Sequence, residues 1–266
     1  MSNHLHDSQS GRPNSGESAS GGLGCTQDGI KAERCQTLER SGTTARDIEL
    51  RLMQQVYERF NHSIRAAVAG TNLPEAFLAA LTANESGGRP DASFFEPGVY
   101  KHLRAVASGE SAAFGSIGPK GLVSAFEQNF DTKNENLQTW LTALYLDSEA
   151  LRVITQYEDA DLRALATSWG LTQIMGYHVV GRKIEIRELL DPDVHYRLAV
   201  QILGDFAQHF GLKLNRDWSA LFRCWNTGRP DGRTFDSEYV SKALQRMNFY
   251  QQIGQATTPK KPAGDA

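Results

Sequence analysis

Glu85 closes the run Leu73-Pro-Glu-Ala-Phe-Leu-Ala-Ala-Leu-Thr-Ala-Asn-Glu-Ser-Gly-Gly88, which reads as an amphipathic helix. Pro74 suits the first helical turn, where a missing N–H is no loss. Gly87 and Gly88 supply the left-handed residue that ends a helix. Phe77, Leu78 and Leu81 mark the apolar face, and Glu85 lies on that face because it follows Leu81 by four residues and Leu78 by seven. A carboxylate on the core side of a helix end is partly desolvated, which disfavours its charged form and raises its pKa. A carboxyl group that keeps its proton near neutral pH is a general acid. Glycosidic bond cleavage requires one, because the leaving sugar oxygen must be protonated. The plainer reading is a last-turn glutamate that turns to water or pairs with Arg89.

Other chemistries fit less well. Gly115-Ser-Ile-Gly-Pro-Lys-Gly121 lacks the ending and spacing of a phosphate loop. His102, His178, His195 and His209 follow no metal-ligand pattern, so no metal is expected, and glycosidic cleavage by a carboxyl acid needs no organic cofactor. No Gly-x-Ser-x-Gly elbow is present, which argues against a serine hydrolase. Cys25, Cys35 and Cys224 are an odd set without zinc spacing. Cys25 and Cys35 either pair or are loop thiols without a role, and Cys224 reads as a small buried hydrophobe. Trp140, Trp169, Trp218 and Trp225 suit sugar stacking, although helical spacing with Leu and Phe favours the core.

The elements that must position Glu85 are mostly helical. Ile48, Leu52, Val56, Phe60, Ile64 and Val68 repeat every fourth residue until Gly70. Pro90 to about Gly121 predicts loop with a short hairpin. Two helical patterns fall between Asn134 and Leu165, one around Leu137, Trp140, Leu141 and Leu144, the other around Leu151, Ile154 and Tyr157. Asp191 is the expected N-cap of a helix with Pro192 in first position and a stripe of Leu198, Ile202, Phe206 and Phe210. Asp217 is expected to cap the next, with Trp218, Leu221, Phe222 and Trp225, ending near Gly228. A last helix is expected from about Asp236 to Ile253. The fold class is therefore mainly α.

The 266 residues, 40% of them hydrophobic, are enough for one sizeable core or at most two small ones. Residues 1–45 are rich in Ser and Gly and read as a disordered tail, as do 257–266, which leaves one domain over 46–256. With 28 basic and 31 acidic residues and a net charge of −3, no basic stripe points to nucleic acid. No run is apolar enough for an integral membrane segment. No basic start followed by an apolar stretch marks an ordinary secretory signal. A protein acting outside the cell membrane would then need a lysis pore, a secretion machine, a phage particle or another export route. Oligomeric state is not legible.

Three more stretches accompany Glu85-Ser86: Ala166-Thr-Ser-Trp-Gly-Leu-Thr-Gln-Ile-Met-Gly176, Arg223-Cys-Trp-Asn-Thr-Gly-Arg-Pro230 and Tyr239-Val240. In this order they resemble the lysozyme-like superfamily of lytic transglycosylases and goose-type lysozymes. Phe94-Phe-Glu-Pro-Gly-Val-Tyr100, with Ser168 to Gly176, is also similar to the phage-type N-acetylmuramidase family. The resemblance implies a lysozyme-like fold with a small loop or hairpin region. It implies cleavage of peptidoglycan between N-acetylmuramic acid and N-acetylglucosamine, with Glu85 as acid and base. Ser86, Gly170, Gln173, Asn226 and Tyr239 are the implied substrate-binding positions. Trp225 and Thr227 depart from the Tyr and Ala of the third motif.

Each position has its own physical reading. Gly170 permits close approach of backbone to a sugar. Gln173 offers donor and acceptor to a sugar, or ties a loop to the core. Asn226 contacts substrate or caps its helix. Tyr239 holds the Glu85 proton by hydrogen bonding, or is a half-buried core tyrosine. An inverting hydrolase also needs a base roughly 6.5–9.5 Å from the acid, and Asp91 and Glu96 are the nearest candidates in sequence. A non-catalytic peptidoglycan-binding or structural module is the alternative, since fold does not imply function.

Overall fold

Apolar residues at helical spacing carry α1 (Ala45–Val68), whose Met53, Val56, Phe60, Ile64 and Val68 are buried. The computed structural model describes residues 44–129 and 157–257. The chain falls into two units, Met1–Ile48 and Glu49–Ala266. In the first, the Thr44 amide and hydroxyl donate to Asp47 Oδ2 at 2.9 and 2.8 Å, and the Asp47 amide donates back to Thr44 Oγ1 at 3.2 Å. This reciprocal pair satisfies amides that a first helical turn leaves unpaired. The second unit holds the core and the candidate site.

At its centre is α2 (Glu75–Glu85). It is not amphipathic: every residue from Ala76 to Ala83 is buried. Ala76, Ala79, Ala80 and Ala83 stand where a surface helix has polar residues, so neighbours close over every face. Pro74 sits just before the helix, extended at φ −72° and ψ 142°, and not in its first turn. The predicted end is observed, with Gly87 and Gly88 left-handed at φ 64° and 79°. Phe77 stacks on Phe222 with ring centroids 4.1 Å apart. The Thr82 hydroxyl bonds the Tyr196 hydroxyl at 2.9 Å. Arg59 Nη1 donates to the Gly88 carbonyl at 3.1 Å, so α1 grips the chain where α2 ends.

The stretch from Pro90 to Gly121 is more ordered than predicted. It holds strand β1 (Ser93–Phe95), helix α3 (Pro97–Ala107), a bridge between Phe114 and Ile117, and the start of α4 (Pro119–Asn129). Helix α3 had legible signals: Pro97 in its first turn, and Val99, Leu103 and Val106 at spacings of four and three. Strand β1 does not form a hairpin with its neighbours. It pairs antiparallel with β2 (Thr167–Trp169), which pairs antiparallel with β3 (Ile174–Met175). Such distant pairing leaves no short-range signal.

Helix α5 (Tyr157–Leu165) leads into β2, and two short 3₁₀ turns, Gly176–Val179 and Ile186–Leu190, follow β3. Asp191 caps α6 (Pro192–Phe210) as predicted, its Oδ1 accepting from the Asp193 and Val194 amides at 2.8 and 3.1 Å. Asp217 stands at the N-cap of α7 (Trp218–Thr227) as predicted but makes no side-chain cap bond; its Oδ2 accepts from the Lys213 amide at 2.7 Å. Helix α8 (Tyr239–Thr257) begins later than predicted, because Asp236 Oδ1 accepts from the Glu238 amide and closes a turn first. The helical patterns around Leu137, Trp140, Leu141, Leu144, Leu151 and Ile154 lie outside the described residues, as do Cys25, Cys35 and nearly all of both predicted tails. The described residues are mainly α, with one small three-stranded sheet. No helix among them is long and apolar enough to cross a membrane.

Candidate active site

Glu85 is the last residue of α2, half-buried where that helix meets α8. Burial pushes its carboxyl up to about 7. The Tyr239 hydroxyl donates to Glu85 Oε1, and this acts in the opposite direction. The expectation that Tyr239 holds the proton on Glu85 is therefore corrected: a donor to a carboxylate favours the charged form. Burial, then the Glu85 charge, drives the tyrosine's own pKa far upward, so it remains a donor. No charged side chain among the described residues contributes to the Glu85 shift. Arg89 instead donates from Nε to the Ser86 carbonyl at 3.1 Å.

The next residue is committed to the protein. Ser86 is 4% exposed, and its hydroxyl donates to the Leu171 carbonyl at 2.7 Å. This corrects its assignment as a substrate contact: it ties the end of α2 to the turn between β2 and β3. Three successive carbonyls of that turn are each taken by a different side chain. Gly170 O accepts from Gln173 Nε2 at 2.8 Å, Leu171 O from Ser86, and Thr172 O from Trp225 Nε1 at 2.9 Å. The Thr172 amide donates to His195 Nε2 at 2.8 Å. That nitrogen therefore carries no proton, and His195 Nδ1–H donates to the Leu189 carbonyl at 2.8 Å. Burial holds His195 down at about 4, so it stays neutral.

Gln173 is a tie as well. Its Nε2 also donates to the Ala92 carbonyl at 3.1 Å, and its Oε1 accepts from the Ser168 hydroxyl at 2.8 Å. Both donors are used, which leaves one acceptor position on Oε1 for a ligand. Gln173 is the one non-glycine residue with positive φ among the described residues, at 57°. Such backbone persists only where surroundings over-determine it, and these side-chain bonds do so.

Gly170 is needed, but not to admit a sugar. A Cβ there would lie 2.5 Å from the Leu189 carbonyl and 2.7 Å from His195 Nδ1, and φ is +71°. Its bare side faces the core. Asn226 is exposed on α7 and makes no described bond to this cluster. It is not the helix cap either, a place taken by left-handed Gly228. Its neighbour Trp225 reaches the turn instead.

The two candidate second carboxylates separate. Asp91 is exposed. Glu96 is half-buried, and burial raises its pKa. Its backbone is fixed by N–H donation to the Ala166 carbonyl at 2.9 Å. It precedes α3 without capping it by its side chain. Among the described residues no cluster of three or more His, Cys, Asp and Glu is placed to hold a metal. Cys224 is a buried free thiol, pushed up to about 11 chiefly by burial.

Sequence reasoning missed Thr172, His195 and the structural role of Trp225. Thr172 and Trp225 fell inside noticed stretches, whereas nothing local links His195 to a turn so far upstream. The assembled site offers a carboxyl near half-protonation at neutral pH, able to give a proton and take one back. Comparison with protein-family models, curated proteins and solved structures found no match.

Proposed function

We propose that this chain cleaves the β-1,4 bond between N-acetylmuramic acid and N-acetylglucosamine in peptidoglycan, on a lysozyme-like fold. The observation that carries the reading is the Glu85 carboxyl, raised to about 7 by burial and held by the Tyr239 hydroxyl. Glu85 gives its proton to the glycosidic oxygen. The bond from the anomeric carbon breaks, the leaving sugar departs as a hydroxyl, and positive charge develops on the ring. In the intramolecular route the Glu85 carboxylate then takes the proton from the attacking hydroxyl as the new bond forms; in an inverting hydrolysis a second carboxylate takes it from water.

The nucleophile is either water or the muramic acid's own C6 hydroxyl. The intramolecular route needs one carboxylate, and Glu85 with its Tyr239 partner supplies it. Glu96, half-buried and without a described hydrogen bond to its carboxylate, supports the hydrolytic one. Mass spectrometry of fragments released from purified peptidoglycan tests the reading. Products ending in 1,6-anhydro-muramic acid are those of a lytic transglycosylase; free reducing ends are those of a muramidase. Glu85→Gln is expected to release about 100- to 10,000-fold less. Undiminished release by that variant would remove Glu85 from the chemistry. Co-sedimentation of the wild-type chain with the wall, and no release, would make it a binding module.

A further inference from the structure

Tyr239 is gripped twice by adjacent residues of α2. Glu85 accepts from its hydroxyl, and Asn84 Nδ2 donates to its backbone carbonyl at 3.0 Å. The Asn84 amide is itself oriented. Arg246 Nη1 donates to Asn84 Oδ1 at 2.6 Å. A guanidinium has donors and no acceptor, so it can bond only the oxygen end of the amide, which turns the nitrogen towards Tyr239. Arg246 is held in turn by a two-pronged contact with Glu49, Nε to Oε2 at 2.7 Å and Nη2 to Oε1 at 2.9 Å. The Arg246 side chain is 12% exposed and that of Glu49 27%, so this fork is partly shielded from water. Glu49 belongs to α1, Asn84 to α2, and Tyr239 and Arg246 to α8.

We propose that Asn84 and Arg246 are positioning residues, which hold the first turn of α8 so that the Tyr239 hydroxyl meets Glu85. Their part in catalysis rests on the reading of Glu85 as the acid. The relay Glu49–Arg246–Asn84–Tyr239 is independent of substrate. A merely architectural tie between α1 and α8 would need the Glu49–Arg246 fork and nothing more. The oriented amide adds control over the hydroxyl that donates to Glu85.

The charged groups around the relay are Glu85 from α2, Glu49 from α1 and Arg246 from α8, with Lys242 of α8 acting on Glu49. None of the substitutions below removes a charge. The test is a carbon-13 carboxyl NMR titration of Glu85 in the full chain, for wild type, Asn84→Ala, Tyr239→Phe and the double variant. Tyr239→Phe is expected to move the Glu85 midpoint upward by about one pH unit, because a donor to the carboxylate is lost. Asn84→Ala is expected to move it in the same direction, and the double variant no further than Tyr239→Phe alone. Arg246→Lys, which cannot hold the fork and orient the amide together, is expected to raise it too. A Glu85 midpoint unmoved in Asn84→Ala, beside a shift in Tyr239→Phe, overturns the proposal, as does full additivity in the double variant. If Asn84→Ala does not fold, Asn84→Ser and Arg246→Lys carry the same comparison. Because no substrate enters the titration, a chain that cleaves nothing leaves this result readable.

Discussion

The Tyr239 hydroxyl donates to Glu85 across 154 residues of sequence, joining the first turn of α8 to the last turn of α2. Two opposing influences meet at that contact. Burial keeps the proton on the carboxyl, and the phenol eases its departure. The balance leaves a group that can act as acid and base near neutral pH.

The balance has a consequence for stability. The Glu85 pKa is raised from 4.5 to about 7. A raised carboxyl pKa stabilises the folded chain fully below the ordinary value, and that contribution is lost as pH rises through about 7. The loss amounts to about 3 kcal/mol. Glu85→Gln has no proton to lose, so its melting temperature should exceed that of wild type at about pH 8. The margin should shrink as pH falls towards 4.5. A margin independent of pH would show that burial does not act on the Glu85 charge.

Cleavage should follow the protonated fraction of Glu85 on its alkaline side. The initial rate of fragment release from purified peptidoglycan should fall roughly tenfold per pH unit above about 7. A rate that holds steady well above that pH would mean that another group supplies the proton.

The two second-carboxylate candidates should respond differently. Asp91 is exposed, and Asp91→Asn should retain wild-type turnover. If the products carry free reducing ends, Glu96→Gln should reduce release by about 100-fold or more. If they end in anhydro rings, it should leave release within a few-fold of wild type. A loss in Asp91→Asn with Glu96→Gln unaffected would reverse this ordering.

Gly170→Ala should be costly. The new methyl would sit 2.5 Å from the Leu189 carbonyl and 2.7 Å from His195 Nδ1, at a left-handed φ of +71°. Those two groups are hydrogen-bonded to each other, so neither yields freely. A loss of about 3–5 kcal/mol is expected in urea unfolding. Near-normal stability with impaired cleavage would instead place the bare side of Gly170 against substrate.

What the sequence by itself determined is short-range. The spacing of Phe77, Leu78, Leu81 and Glu85, closed by Gly87 and Gly88, placed a carboxyl at a helix end. Counting also placed the Asp191 cap and the stripe of α1 from Val56 to Val68, although Ile48, counted in the same stripe, is exposed. The same kind of count held helix α3, whose apolar spacing lay among the glycines and prolines of a stretch expected to be loop. These features depend on neighbours within one or two turns, so residue order carries them. Only the tertiary structure decided that α2 is enclosed on every face and that β1 pairs with β2. It alone turned the Gly170 bare side inward and bound Gln173 and Ser86 to backbone carbonyls. It alone brought Tyr239, Asn84 and Arg246 together beside Glu85. A hydrogen bond is satisfied by whichever donor or acceptor arrives in space, and the spacing of residues along a chain does not record which one does.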